Sequence, residues 1–229
     1  MRPKKIIFFD AGGTLFRPWP SVGEVYARTA LKHGVMISAA DVEKAFHEKW
    51  HLRNSVVTEG ATSEKIEREW WYRFVQEVFH NVDAFEDFDV FFTELYDLFA
   101  RAECWRLFDD TVPALDHLKE AGYRMAILSN WDHRLFGIVE QLGLSNYFET
   151  VIASAAVGAS KPNRKIFEAA LAAMKAAPEA CAHVGDSVSD DYEGARAMGL
   201  QPVLIDRSAR AYNGLTRMTA LTQLPGVLQ

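Results

Sequence analysis

From about residue 109 onward the chain repeats one unit: a short, unbroken apolar run, then an amphipathic segment that stops at glycine or proline. The runs at 124–129, 150–153, 182–185 and 202–205 are continuous rather than alternating, the pattern of strands covered on both faces. The segments 111–120, 134–142, 163–176 and 190–198 carry apolar residues at three- and four-residue spacing. They meet Gly122, Gly143, Pro178 and Gly199 as stop signals. A helix that returns the chain between successive strands makes them parallel, so the spacing predicts a doubly wound sheet. The run at 5–9 has the same character and is expected in the same sheet.

Residues 18–101 break this rhythm. No strand is evident there, and the periodicity predicts four helices at 22–33, 39–53, 63–81 and 85–100, with Ser38 and Ser63 as N-caps. The third carries Ile66, Trp70, Phe74 and Val78 as a stripe, with Trp71 and Val75 beside it. The fourth carries Phe88, Phe91, Phe92, Leu95 and Phe99. These stripes read as the core of a helical bundle rather than a ligand box. The expected fold class is therefore α/β: a Rossmann-like parallel sheet with helices on both faces, formed by residues 1–16 and 104–229. An all-helical cap domain, 17–103, would be inserted after the first strand, with hinges near 16–20 and 102–108.

With 229 residues and 49% hydrophobic content the chain can bury a sizeable core. Its net charge of −6 and lack of a basic stripe give no reason to expect nucleic acid. No run approaches the ~20 apolar residues of a membrane span, and the run ending at Asp10 is too short for a signal peptide. Cys104 and Cys181 lack metal-type spacing and read as buried thiols of a reducing compartment. The expectation is a cytoplasmic protein, monomer or homodimer, acting on a small molecule.

Ligands of open α/β sheets bind beyond the carboxyl ends of the strands. The first strand delivers Asp10-Ala11-Gly12-Gly13-Thr14 to that edge, the second Ser129-Asn130. Lys161 follows the third, and Asp186, Asp190 and Asp191 follow the fourth. Taken singly, each has an ordinary structural role: a turn cap, a helix N-cap, a solvated lysine. Together they suit phosphate. A carboxylate can attack phosphorus, and the phosphoryl oxygens need donors and a cation. Lys161, Ser129 and the backbone N–H groups of 11–13 could serve. Asp10 and Asp186 could share Mg²⁺, a hard ion that takes one or two carboxylates plus waters and phosphate.

Four segments in this order, FFDAGGTLF, ILSN, SKP and VGDSVSDDYEGARAMG, resemble the haloacid dehalogenase superfamily, which is mostly phosphatases. The helical insertion resembles that superfamily's first cap type. VGEVYARTALKHGV, REWWYRFVQEVF and SNWDHRL resemble the subgroup related to the rhythmically expressed gene 2 protein. The resemblance implies Asp10 as nucleophile and metal ligand, with the Gly12 carbonyl and Asp186 as further ligands of Mg²⁺. Asp191, which fits the spacing better than Asp190, would orient Lys161. Thr14, Ser129 and Lys161 would hold the phosphoryl group, and Asn130 would shape its loop.

One departure stands out. Phosphatases of the superfamily carry a second Asp where this chain has Gly12. General acid–base help is worth roughly 10²–10⁴-fold. Three readings stay open: a phosphatase that is slow or uses a leaving group needing no proton, such as an acyl phosphate or phosphoanhydride; a 2-haloacid dehalogenase, whose relatives also lack this Asp but place Ser where Asp186 stands; and a phosphate-binding module without turnover. A phosphonate hydrolase ranks lower, because the setting of Lys44 and Lys49 does not match its cap lysine. Asp132, His133, His47 and His51 are candidate replacements for the acid. Arg28, Arg53 and Arg73 are candidate substrate contacts on the cap.

Overall fold

The computed structural model describes residues 6–52, 63–82, 85–208 and 214–228. Strand β1, Ile6–Phe9, is buried along its whole length. It is followed by β2, Phe16–Pro18, which pairs antiparallel with β3, Trp105–Leu107. This two-stranded ribbon occupies both crossings that the sequence reading left as hinges. Then come β4 (Arg124–Ser129), β5 (Val151–Ala153), β6 (Cys181–Gly185), β7 (Gln201–Ile205) and β8 (Arg217–Met218). Six of these form one sheet in the order β5-β4-β1-β6-β7-β8, with every pairing parallel. The sequence reading found five of them. The two-residue β8 is too short to leave an apolar run.

Successive strand residues face opposite sides, and β1 divides accordingly. Ile7 and Phe9 join one cluster with Leu115, Ile127, Ile138 and Val184. Ile6 and Phe8 join another with Leu128, Ile166, Phe167 and Met174. Helices therefore cover both faces, and each enclosed large side chain contributes about 1.5–3 kcal/mol relative to exposure. They are α5 (Thr111–Glu120) and α6 (Arg134–Gln141) on one side, and the short α7 (Ser154–Val157) and α8 (Arg164–Met174) on the other. Asn163 is not the first turn of α8 but its N-cap, accepting from the Lys165 N–H at 2.9 Å. The segment expected as one helix at 190–198 starts earlier, with a π-helical turn at Val188–Glu193 that runs into α9, Gly194–Ala197.

Between β2 and β3 lie α1 (Val22–Lys32), α2 (Ala39–Leu52), α3 (Glu64–Val78) and α4 (Phe88–Leu98). Ser38 and Ser63 accept from the N–H groups of Asp41 and Ile66, and Asp87 caps α4. These helices enclose their own hydrophobic cluster, rich in aromatic rings and including Tyr26, Phe74, Phe79, Phe91 and Leu95. The expected α3 stripe needs correction at its start. Ile66 is 45% exposed, and Glu67 is buried in its stead at 1%. Lys5 and Arg53 lie outside the described residues. Both cysteines are buried free thiols, and among the described residues no helix is long and apolar enough to cross a membrane.

Candidate active site

The register of β1 between β4 and β6 brings the expected residues to one edge. Phe9 pairs with Ile127 on one side and Val184 on the other, so Asp10 emerges between the ends of both neighbours. Its N–H is held by the Val184 carbonyl at 2.8 Å. Asp10 Oδ1 accepts from Ser129 Oγ at 2.9 Å and from Lys161 Nζ at 2.7 Å. Oδ2 has no hydrogen bond among the described residues. One oxygen is thus pinned and the other is open.

Lys161 is 4% exposed and uses all three ammonium hydrogens, on Asp10 Oδ1, the Leu128 carbonyl at 2.9 Å and Asp191 Oδ1 at 2.5 Å. Its backbone is clipped on both sides by Asn130. The Lys161 N–H donates to Asn130 Oδ1 at 2.6 Å, and Asn130 Nδ2 donates to the Lys161 carbonyl at 2.9 Å. Asn130 therefore acts on the lysine loop more than on open solvent. Asp191 also accepts from His183 Nε2 at 2.9 Å and from the Ser187 N–H at 3.0 Å. Asp190 lies outside this group and accepts from Ser189 Oγ.

Burial alone would discharge Lys161, yet Asp10 and Asp191 overcome it and hold its pKa above the usual lysine value. Burial would likewise raise Asp191, but Lys161 and His183 hold its carboxyl well below the ordinary range. His183, fully enclosed, is pushed down and stays neutral. For Asp10, burial outweighs Lys161 and raises the carboxyl. The walls around Asp186, then the charges of Asp10 and Asp191, push it up to about 8, although the residue keeps an exposed side at the rim.

Asp10, Asp186 and Asp191 each offer an oxygen, and these oxygens all lie within 4.8 Å of one another. Three crowded hard carboxylate oxygens with a single lysine among them fit a small divalent cation. Asp191 is already engaged by three donors, which leaves Asp10 and Asp186 as the better ligands. Gly13 makes this approach possible. Its φ is +78°, and a Cβ there would fall 2.3 Å from Asp186 Oδ2.

Thr14 is fully buried, and its hydroxyl has no partner among the described residues. Its carbonyl is bound by Arg207 Nη2 at 2.7 Å. The candidate replacement acids are committed elsewhere. Asp132 accepts from Arg134 and from the indole N–H of Trp71 at 2.7 Å. His133 Nδ1 meets Glu67 Oε1 at 2.7 Å, and its N–H donates to Glu67 Oε2 at 3.0 Å. These contacts bind α3 to the loop after β4, so the helical layer lies over the carboxyl edge of the sheet. His47 pairs with Glu43 on α2, and the side chain of His51 lies outside the described part. Arg28 and Arg73 are exposed. Sequence reasoning missed His183 and Glu67. His183 had one available signal, a lone titratable residue inside an apolar strand; Glu67 had none, because its partner is 66 residues away.

The chain is similar to known proteins in both sequence and fold. Residues 4–199 match the family described as haloacid dehalogenase-like hydrolase. The chain is 32% identical over 204 residues to haloacid dehalogenase-like hydrolase domain-containing protein 3 of Homo sapiens, covering 88% of this chain and 81% of that protein. It is 25% identical over 221 residues to the rhythmically expressed gene 2 protein of Drosophila melanogaster, covering 91% and 85%. Among solved structures, a HAD phosphatase from Thermococcus onnurineus superposes with a TM-score of 0.70 at 25% identity, covering 98% and 97% of the two chains. The L-2-haloacid dehalogenase PA0810 superposes at 0.77 with 18% identity, covering 99% of each, a likeness of fold.

Proposed function

The chain belongs to the haloacid dehalogenase-like hydrolases, and we propose that it is a Mg²⁺-dependent phosphatase of small phosphorylated metabolites working through an aspartyl-phosphate on Asp10. The observation that carries this reading is the set of three carboxylates around one buried lysine, with oxygens within 4.8 Å. A site that displaces halide from a haloacid needs no cation, and so has no use for a second carboxylate, Asp186, beside the nucleophile. The likeness to a solved HAD phosphatase supports the same choice.

In this reading Asp10 Oδ2, the open oxygen, attacks phosphorus, while Ser129 and Lys161 hold Oδ1 and fix the angle of attack. Lys161 also offers positive charge to the phosphoryl oxygens. Asp191 keeps Lys161 charged and in position, and Asn130 fixes its backbone. Thr14, whose buried hydroxyl has no partner among the described residues, would hold a phosphoryl oxygen. Asp10, Asp186 and the Gly12 carbonyl would hold Mg²⁺, which would offset phosphoryl charge when bound. The helices of 17–103 act as a cap that excludes water, and a capped site suits a small soluble substrate.

The test is phosphate release from a panel of phosphometabolites, with and without Mg²⁺, in the wild type and in Asp10→Asn. Mg²⁺-dependent release that disappears in the variant is expected. Halide release from 2-haloacids with no phosphate release would replace this reading with a dehalogenase.

A further inference from the structure

Breaking a phosphate ester of an ordinary alcohol calls for a proton on the leaving oxygen. Among the described residues the site holds no side chain ready to give one. Lys161 has three acceptors, Asp191 has three donors, and Asp186 belongs with the cation ligands. His183 is sealed behind Asp191, and Asp132 and His133 are tied to Arg134, Trp71 and Glu67. Position 12, two residues after the nucleophile, has no side chain.

The space beside Gly12 is nevertheless full. A Cβ built there would lie 2.8 Å from Cζ3 and 3.4 Å from Cη2 of Trp131. Trp131 is held both at its backbone and against its ring. Its backbone N–H donates to Ser154 Oγ at 3.0 Å, and its carbonyl accepts from the Ala155 N–H at 3.2 Å. Its ring lies 5.6 Å from Phe16, which is fully buried, and 5.0 Å from Trp105. Its neighbours Asn130 and Asp132 are each bound on both sides.

We infer that Gly12 and Trp131 together determine specificity: position 12 offers no proton, the Trp131 ring fills the volume in which a donor could stand, and turnover is restricted to phosphoryl donors whose leaving group departs as a stable anion, the acyl phosphates and phosphoanhydrides. This rests on the phosphatase reading above. Asp10 Oδ2 supplies the electron pair for the new P–O bond. The old P–O bond breaks, and its electrons leave with a carboxylate or phosphate oxygen that needs no proton. Water then attacks the aspartyl-phosphate, Asp10 departs as carboxylate, and both protons of the water stay with the released phosphate and solvent.

The experiment compares kcat/KM for acetyl phosphate and glycerol phosphate, with Mg²⁺, in the wild type, Gly12→Ala, Gly12→Asp, Trp131→Ala and the double variant Gly12→Asp/Trp131→Ala. Thermal melts are recorded for all five. The wild type should favour acetyl phosphate by at least about 100-fold beyond the two compounds' uncatalysed difference. The double variant should raise glycerol phosphate turnover at least about tenfold over Trp131→Ala, which lacks the acid. Gly12→Ala and Gly12→Asp should each lower the melting temperature in the wild-type background, and much less when Trp131 is Ala. Equal use of the two substrates by the wild type, or ester activity gained by Gly12→Asp alone at unchanged melting temperature, would overturn the inference. Release from neither substrate would overturn the inference, and the phosphometabolite panel described above then decides by itself whether the phosphatase reading stands. The melting cycle judges the steric pair separately, and additive losses would reject it.

Discussion

Replacing Lys161 by methionine keeps most of the side-chain volume and removes the charge. The lost contacts are those to Asp10 at 2.7 Å, Leu128 at 2.9 Å and Asp191 at 2.5 Å, and only 2% of the side chain reaches solvent. The variant leaves two buried carboxylates without their cation and a carbonyl without a donor. Removing one partner of a buried ion pair costs about 3–5 kcal/mol, and the threefold coordination puts Lys161 at the upper end. For a chain of this length each kcal/mol moves Tm by roughly 2–4 °C, so a fall of about 10–20 °C is expected. The pH dependence sharpens the check. In the wild type the folded Asp191 pKa is depressed against burial by Lys161 and then His183. Its stabilisation is present above the unfolded carboxylate value and lost as pH falls through the folded one. In the variant the sign reverses. A buried carboxylate without its cation has a raised folded pKa, so the deficit is full at high pH and shrinks as pH falls through that value. Urea melts at pH 8 and pH 5.5, both with chelator, should narrow the gap between the two proteins by at least about 1 kcal/mol at the lower pH. A deficit under about 1 kcal/mol, or one equal at both pH values, would refute the role of Lys161 as the counter-ion of this site.

Three further outcomes are expected. His183→Phe removes a buried donor from Asp191 and should cost about 1–3 kcal/mol in urea melts; an unchanged midpoint would mean that the ring only fills space. Gly13→Ala combines a φ of +78° with a clash on Asp186. It should cost about 1–3 kcal/mol and abolish the rise in melting temperature that Mg²⁺ is expected to give the wild type. Trp71→Phe loses the bond to Asp132, worth about 0.5–1.5 kcal/mol. Amide exchange should quicken in α3 and residues 131–134 but not in β1, and uniform acceleration would contradict a local effect.

Much of this molecule is legible in one dimension because its signals are local. A parallel strand buried on both faces needs an unbroken apolar run, and Ile6–Phe9 and Arg124–Ser129 have one. The residues after those runs must then emerge at the carboxyl edge, which is why Asp10, Ser129, Lys161, Asp186 and Asp191 are legible as one group in the sequence. What escaped was decided by distant partners. Glu67 displaces Ile66 from the buried stripe of α3 because His133 waits across the interface. The β2–β3 ribbon joins segments nearly ninety positions apart in about three residues each, too short for any periodicity. Gly12 reads as an absence, and only the fold reveals that Trp131 already fills the space beside it.

The grip of α3 and α4 on residues 132–134 also sets an equilibrium. Swinging the helical layer away would break Trp71–Asp132, Glu67–His133 and the bond from Arg134 to the Tyr96 carbonyl together. These are four bonds, two of them between Glu67 and His133; at about 1 kcal/mol or a little more apiece, the open form would be on the order of one molecule in a thousand to one in ten thousand. A solute able to enter only that form would see its apparent affinity diluted by the same fraction. Loosening a single indole contact would then tighten apparent binding severalfold without touching anything the solute touches.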